Sequence, residues 1–156
     1  MTINSKLSAD THSVSIEIGR DHFATHIMAD GHAFIADEPE DLGGTDLGAT
    51  PKNLLLSALG ACIAITVRMY ADRKGWPLEG IRLELSQTLV QASDCVDCGL
   101  PEDAKGRVNV LDYKVHLTGE ELTPEMIERI MDITKRCPVH RIIMDQTVIR
   151  AELAST

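Results

Sequence analysis

The chain has 156 residues, 44% hydrophobic but only 3% aromatic, enough for a single domain, 1–156, whose core must be built from Leu, Ile, Val, Met and Ala. A formal charge of −9 argues against nucleic acid and anionic membrane surfaces as partners. The opening MTINSKLSAD has no basic segment followed by an apolar one, so the expectation is a cytoplasmic protein whose four cysteines act as thiols, metal ligands or redox pairs rather than as a structural disulfide framework.

Residues 1–10 are polar and are expected to be flexible. From Ser13, Val14, Ile16 and Ile18 alternate with Ser15, Glu17 and Gly19, the period of a half-buried strand. Gly19-Arg20-Asp21-His22 reads as a turn, Phe23 to Ala29 as a return strand, Asp30-Gly31 as a tight hairpin turn and His32 to Ala36 as a third strand. Asp37 to Ala49 contains Gly43-Gly44 and Gly48, has no hydrophobic period and reads as a loop.

The stretch Thr50 to Trp76 is the axle of the domain. Thr50-Pro51 is a helix start, a hydroxyl cap followed by a proline whose missing N–H costs nothing. Leu54, Leu55, Leu56, Ala58, Leu59, Ala61, Ile63, Ile65 and Val67 leave no wide polar stripe, so the helix is expected to be buried all round. Interrupted by Ser57, Gly60 and Thr66, the run reads as too short for a membrane span. Beside Cys62, the small residues Gly60 and Ala61 let another backbone or a substrate come close.

Beyond Trp76-Pro77, Gly80 to Val90 alternates as a long strand, Ser93 to Gly106 is an acidic loop carrying Cys95 and Cys98, and Val108 to Leu117 is a further strand pairing back. A second helix opens at Thr123-Pro124 and is expected to bury Met126, Ile127, Ile130, Met131 and Ile133. Cys137-Pro138 closes it, because the residue before a proline is pushed out of the α region. An apolar turn, Ile142 to Met144, and a last strand, Thr147 to Leu153, complete an α+β domain of antiparallel strands packed on two helices, without repeats or a linker.

Cys62 inside one helix and Cys137 at the end of another allow two readings. Free cysteines often serve as small buried hydrophobes, but Arg136-Cys137-Pro138-Val139-His140-Arg141 is too polar and cationic for packing alone. A nucleophilic thiol must be ionised, and an ordinary one, with a pKa of about 8.5, is ionised only to a few per cent at neutral pH. Cys62 lies too far from its helix N-terminus to gain much from the dipole. It therefore needs a cation from elsewhere, and a guanidinium suits the task because it stays charged when buried.

The run Ala49-Thr50-Pro51 through Leu54-Leu55-Leu56-Ser57-Ala58-Leu59-Gly60-Ala61-Cys62, with Cys137-Pro138-Val139-His140-Arg141 far downstream, resembles the OsmC/Ohr family of thiol-dependent hydroperoxide reductases from about Ser13 to Leu153. Ala36-Asp37-Glu38-Pro39, Gly43-Gly44, and Met69-Tyr70-Ala71 through Gly75-Trp76 resemble its OsmC-like branch. The resemblance implies antiparallel sheets on a long buried central helix and a second helix, in an intertwined homodimer whose sites each draw on both chains. It implies a cysteine-based peroxidase in which Cys62 attacks an organic hydroperoxide, becomes a sulfenic acid and is resolved by Cys137 as a disulfide, which a dithiol reductant reopens. It also places Arg20 as the activating arginine. One position departs from the pattern: where the Ohr branch holds that arginine with a glutamate after the helix-initial proline, this chain has Lys52. Two cations repel, so either Asp37, Glu38 or Asp46 takes the carboxylate's part or the arginine is not held in the same way.

Cys95 and Cys98 form a C-x-x-C pair flanked by Asp94 and Asp97. Three readings stand: a reversible disulfide, half of a metal site completed elsewhere, or no role. No nucleotide, flavin or haem motif is present, and no bound cofactor is expected. Beside the peroxidase reading stands a redox-sensing or apolar-ligand module without useful turnover, which Lys52 keeps open.

Overall fold

In the computed structural model of the protein, residues 11–95, 97–101 and 103–154 are described, and the expectation for residues 1–10 lies outside them. Two compact units follow one another, divided in sequence between Leu55 and Leu56.

The first unit is a three-stranded antiparallel sheet, β1 (Val14–Ile18), β2 (Thr25–Ala29) and β3 (His32–Ala36), paired in that order. Asp30 and Gly31 turn β2 into β3 with φ of 47° and 86°, the left-handed pair that a two-residue hairpin requires. The return strand opens at Thr25 rather than Phe23, because His22 takes a left-handed conformation and prolongs the turn. Val14, Ile16 and Ile18 stand exposed rather than half-buried, since no second layer lies over β1 among the described residues of its unit. The loop after β3 is tied to one side chain. Buried Asp37 accepts hydrogen bonds from the backbone N–H groups of Glu38 (2.8 Å), Thr45 (3.1 Å) and Leu47 (3.2 Å) and from the Thr45 hydroxyl (2.6 Å). Helix α1 (Pro51–Lys74) then opens with the Thr50 hydroxyl accepting from the Asn53 N–H at 3.3 Å.

In the second unit, β4 (Gly80–Gln91) and β5 (Arg107–Thr118) pair antiparallel along their whole length. Helices α2 (Pro124–Thr134) and α3 (Pro138–Met144) follow. The core joins Leu59, Ile63, Val67 and Ala71 of α1 to Leu78, to Ile130 and Ile133 of α2, and to Cys137, with Leu83 and Leu85 of β4 and Leu111 and Tyr113 of β5 packed against it. Gly60 lets β4 approach: a Cβ there would lie 2.8 Å from a Leu85 methyl.

Four expectations require correction. The α1 helix buries one stripe, Leu59, Gly60, Ile63, Val67 and Ala71, while Leu55, Ile65 and Met69 are exposed. By length and composition alone it is also sufficient to cross a membrane, although its buried stripe supplies the core of its unit. In α2, Ile127 and Met131 are exposed and Ile130, Ile133 and Thr134 are buried, the narrower face that a single neighbouring layer can cover. Ile142 to Met144 belongs to α3 rather than to a turn, because Cys137-Pro138 ends one helix and caps the next. Thr147 to Leu153 is not a strand: Val148, Ile149 and Leu153 are exposed, and no strand of the chain pairs with them among the described residues. The fold is therefore α+β with antiparallel sheets and three helices rather than two.

Candidate active site

Cys62 sits at the middle of α1, half-buried, with its carbonyl accepting the Thr66 hydroxyl at 2.7 Å. Cys137 is fully buried as the N-cap of α3, and its Sγ accepts the His140 backbone N–H at 3.2 Å. Both are free thiols. They pack in the same core cluster, with their side chains close enough to interact. Burial pushes the Cys137 thiol up, the His140 N–H opposes this by stabilising the thiolate, and the nearby Cys62 raises it further. Cys137 is thus held as a neutral thiol beside Cys62. The contact from His140 comes through its backbone, the cap geometry fixing it, and not through the ring.

A cavity of about 350 Å³ is lined by Leu59, Leu111, Tyr113, His140, Ile143 and Met144, with Asn109 at its edge. Leu59 lies one helical turn before Cys62, and His140 one turn after Cys137. An apolar chamber with a single imidazole therefore adjoins both thiol-bearing segments. Sequence reasoning left the substrate-binding residues open; the residues that line this cavity come from three elements, and no local motif connects them.

Arg20 lies exposed in the turn between β1 and β2, in the first unit. Asp37, one of the carboxylates considered as its partner, instead spends both oxygens on the loop, and its carboxyl is held below the usual range chiefly by the Thr45 hydroxyl, against the opposing cost of burial. Lys52 stands in the first turn of α1. Arg68, a further candidate cation, pairs with Asp72 at 3.0 Å. Cys95 and Cys98 are joined by a disulfide with a Cα–Cα distance of 5.7 Å, well within the span such a bond bridges. Among the described residues no cluster of three or more His, Cys, Asp or Glu side chains could hold a metal ion.

The family model for OsmC-like protein matches residues 44–152. The chain belongs to the OsmC-like family. No curated protein sequence matches it. Among solved structures, the organic hydroperoxide resistance protein OsmC of Legionella pneumophila is 21% identical, with a TM-score of 0.60, over 87% of this chain and 90% of that one. OhrB of Bacillus subtilis, also an organic hydroperoxide resistance protein, is 20% identical with a TM-score of 0.53 over 84% and 88%. A Psychrobacter arcticus protein described as an osmotic stress induced and detoxification response protein is 18% identical with a TM-score of 0.62 over 82% and 85%. At these identities the likeness speaks for the OsmC-like fold.

Proposed function

We propose that this OsmC-like chain is a cysteine-based peroxidase that reduces organic hydroperoxides in defence against oxidative stress. The observation that carries the reading is the pairing of Cys62 with Cys137 in one core cluster, two free thiols of which one is held neutral. The Cys62 thiolate attacks the peroxide, the O–O bond breaks, and the alkoxide leaves as an alcohol after taking up a proton. Cys62 is then a sulfenic acid. Cys137 condenses with it, releasing water and forming the disulfide. An external dithiol gives two electrons and two protons to restore both thiols. The apolar chamber beside Leu59 and Ile143 suits the hydrocarbon body of such a peroxide. Arg20 is the activating cation in this reading, and the working form is a cytoplasmic homodimer.

The test is the rate of thiol loss with cumene hydroperoxide beside hydrogen peroxide, with thiols counted before and after. The expected result is loss of two thiols within seconds, faster with the organic peroxide. Cys62→Ser abolishes reduction, Cys137→Ser leaves a sulfenic acid that dimedone traps, and Arg20→Ala slows oxidation. Full turnover in Cys62→Ser sinks the assignment. Slow and indifferent oxidation of the unaltered chain favours instead the ligand-binding or sensing module that Lys52 suggests.

A further inference from the structure

A second cavity in the same unit, of about 520 Å³, is unlike the rest of the surface. Met69, Ile133 and Pro138 give it apolar walls, and Arg73, Arg129 and Arg136 bring three guanidinium groups to its lining. No carboxylate lines it, in a chain that carries 24 acidic side chains against 15 basic ones. Asp132 reaches Arg129 at 3.7 Å, while Arg73 and Arg136 have no ion-pair partner among the described residues.

Two of the three cations, Arg73 and Arg129, are also held in place. Tyr70 packs edge-on against Trp76, with ring centroids 5.4 Å apart. The guanidinium carbons of Arg73 and Arg129 lie 5.3 and 5.7 Å from the Tyr70 ring centroid, and Arg129 Nε donates to the Tyr70 hydroxyl at 3.1 Å. Guanidinium groups ordered in this way lose less freedom on meeting a ligand than three solvated arginines would. With one carboxylate, that of Asp132, paired to the three, they still carry excess positive charge, which an anion would neutralise.

We propose that this cavity is a binding site for an organic anion, its carboxylate or phosphate head among Arg73, Arg129 and Arg136 and its apolar body against Met69, Ile133 and Pro138. Arg136 and Pro138 flank Cys137 in the chain. Thr66, which also lines the cavity, donates its hydroxyl to the Cys62 carbonyl. An occupant therefore lies against the segments that carry both thiols, either as the anionic arm of a substrate or as a separate effector.

Calorimetric titration of the whole protein with 4-phenylbutyrate, beside the neutral 4-phenylbutanol, tests this. The expected result is saturable one-to-one binding of the carboxylate, with the alcohol at least about tenfold weaker and the difference shrinking as salt is raised. Arg73→Gln combined with Arg136→Gln, which leaves the Arg129–Tyr70 contact in place, should cost about tenfold in carboxylate affinity at an unchanged melting temperature. Equal binding of acid and alcohol, or an unchanged affinity in the double variant, overturns the proposal. In cumene hydroperoxide turnover, competition by phenylbutyrate assigns the anion to the substrate, and a change in rate without competition assigns it to an effector. Binding is read without turnover, so failure of the peroxidase reading leaves this test standing.

Discussion

In the proposed thiol cycle, Cys137 suits the second step rather than the first. Its burial raises the thiol above its ordinary range, and the N–H of His140 recovers only part of that shift. Held neutral, it is a poor nucleophile toward peroxide, and its part in the proposed cycle is to condense with an oxidised neighbour. Two consequences follow. With iodoacetamide at pH 8.5 and mass mapping, Cys137 should be labelled at least about tenfold more slowly than in the denatured chain, while half-buried Cys62 reacts ahead of it. Equal labelling of the two would remove the distinction. The same shift bears on stability. Above about pH 8.5 the unfolded chain ionises this thiol and the folded chain does not. Stability then falls as pH rises, until the raised folded value is passed, and Cys137→Ser should lose that slope in urea melts taken from pH 7 to 10.

At the scale of elements, the loop from Asp37 to Ala49 is organised by one buried carboxylate. Each of its three backbone donors and the Thr45 hydroxyl favours the charged form. The folded value lies below the ordinary carboxylate pKa of about 3.9, so the stabilisation is present above that pH and is lost as pH falls through the folded value. Asp37→Asn should lower the urea midpoint by a constant amount above about pH 5, and the gap should narrow as the pH is taken below the ordinary carboxylate range; a gap independent of pH would assign the loop's order to Gly44 and Gly48 instead. The sequence reading found this loop but not its anchor, because an aspartate among glycines carries no periodic signal. What was legible had a local cause: proline after a capping side chain opens α1 and α2, and the alternation of β4 and β5 follows the pleat. The two thiols were also legible, from their motifs. Beside the over-wide burial expected for α1 and α2, two elements were misread, α3 and the final strand. At α3 the Cys137-Pro138 pair was credited with ending a helix and not with starting one. The final strand had the right alternation but lacks a neighbour, and a strand exists only where its backbone groups are paired. The arginine cavity escaped notice because its cations come from positions 73, 129 and 136, which only the packing of α2 against α1 gathers.

At the scale of the whole molecule, the unaccounted quantity is apolar surface. Ile16, Ile27 and Phe34 stand opposite one another across the three strands of the first unit, forming one row of a single face. Val14 and Ile18 extend that face along β1, and in the chain alone Val14, Ile16, Ile18 and Phe34 are exposed. Ile65 and Met69 on α1, and Val148, Ile149 and Leu153 beyond α3, are exposed as well. Continuous apolar faces of this kind are rare on soluble monomers and are normally covered by a partner. A second copy is the partner that the homodimer reading supplies, and its strands could equally give Thr147 to Leu153 the neighbour that one chain lacks. Sedimentation equilibrium should therefore return twice the mass of one chain at micromolar concentration. Ile16→Lys together with Phe34→Lys should shift it to the single-chain mass. Both side chains are already in water in the isolated chain, so the substitutions remove little intrachain packing and their effect reads chiefly on association. A wild-type chain that sediments as a monomer would refute the dimer. A lysine variant that remains dimeric would move the interface off the β1–β3 sheet and onto the exposed side of α1.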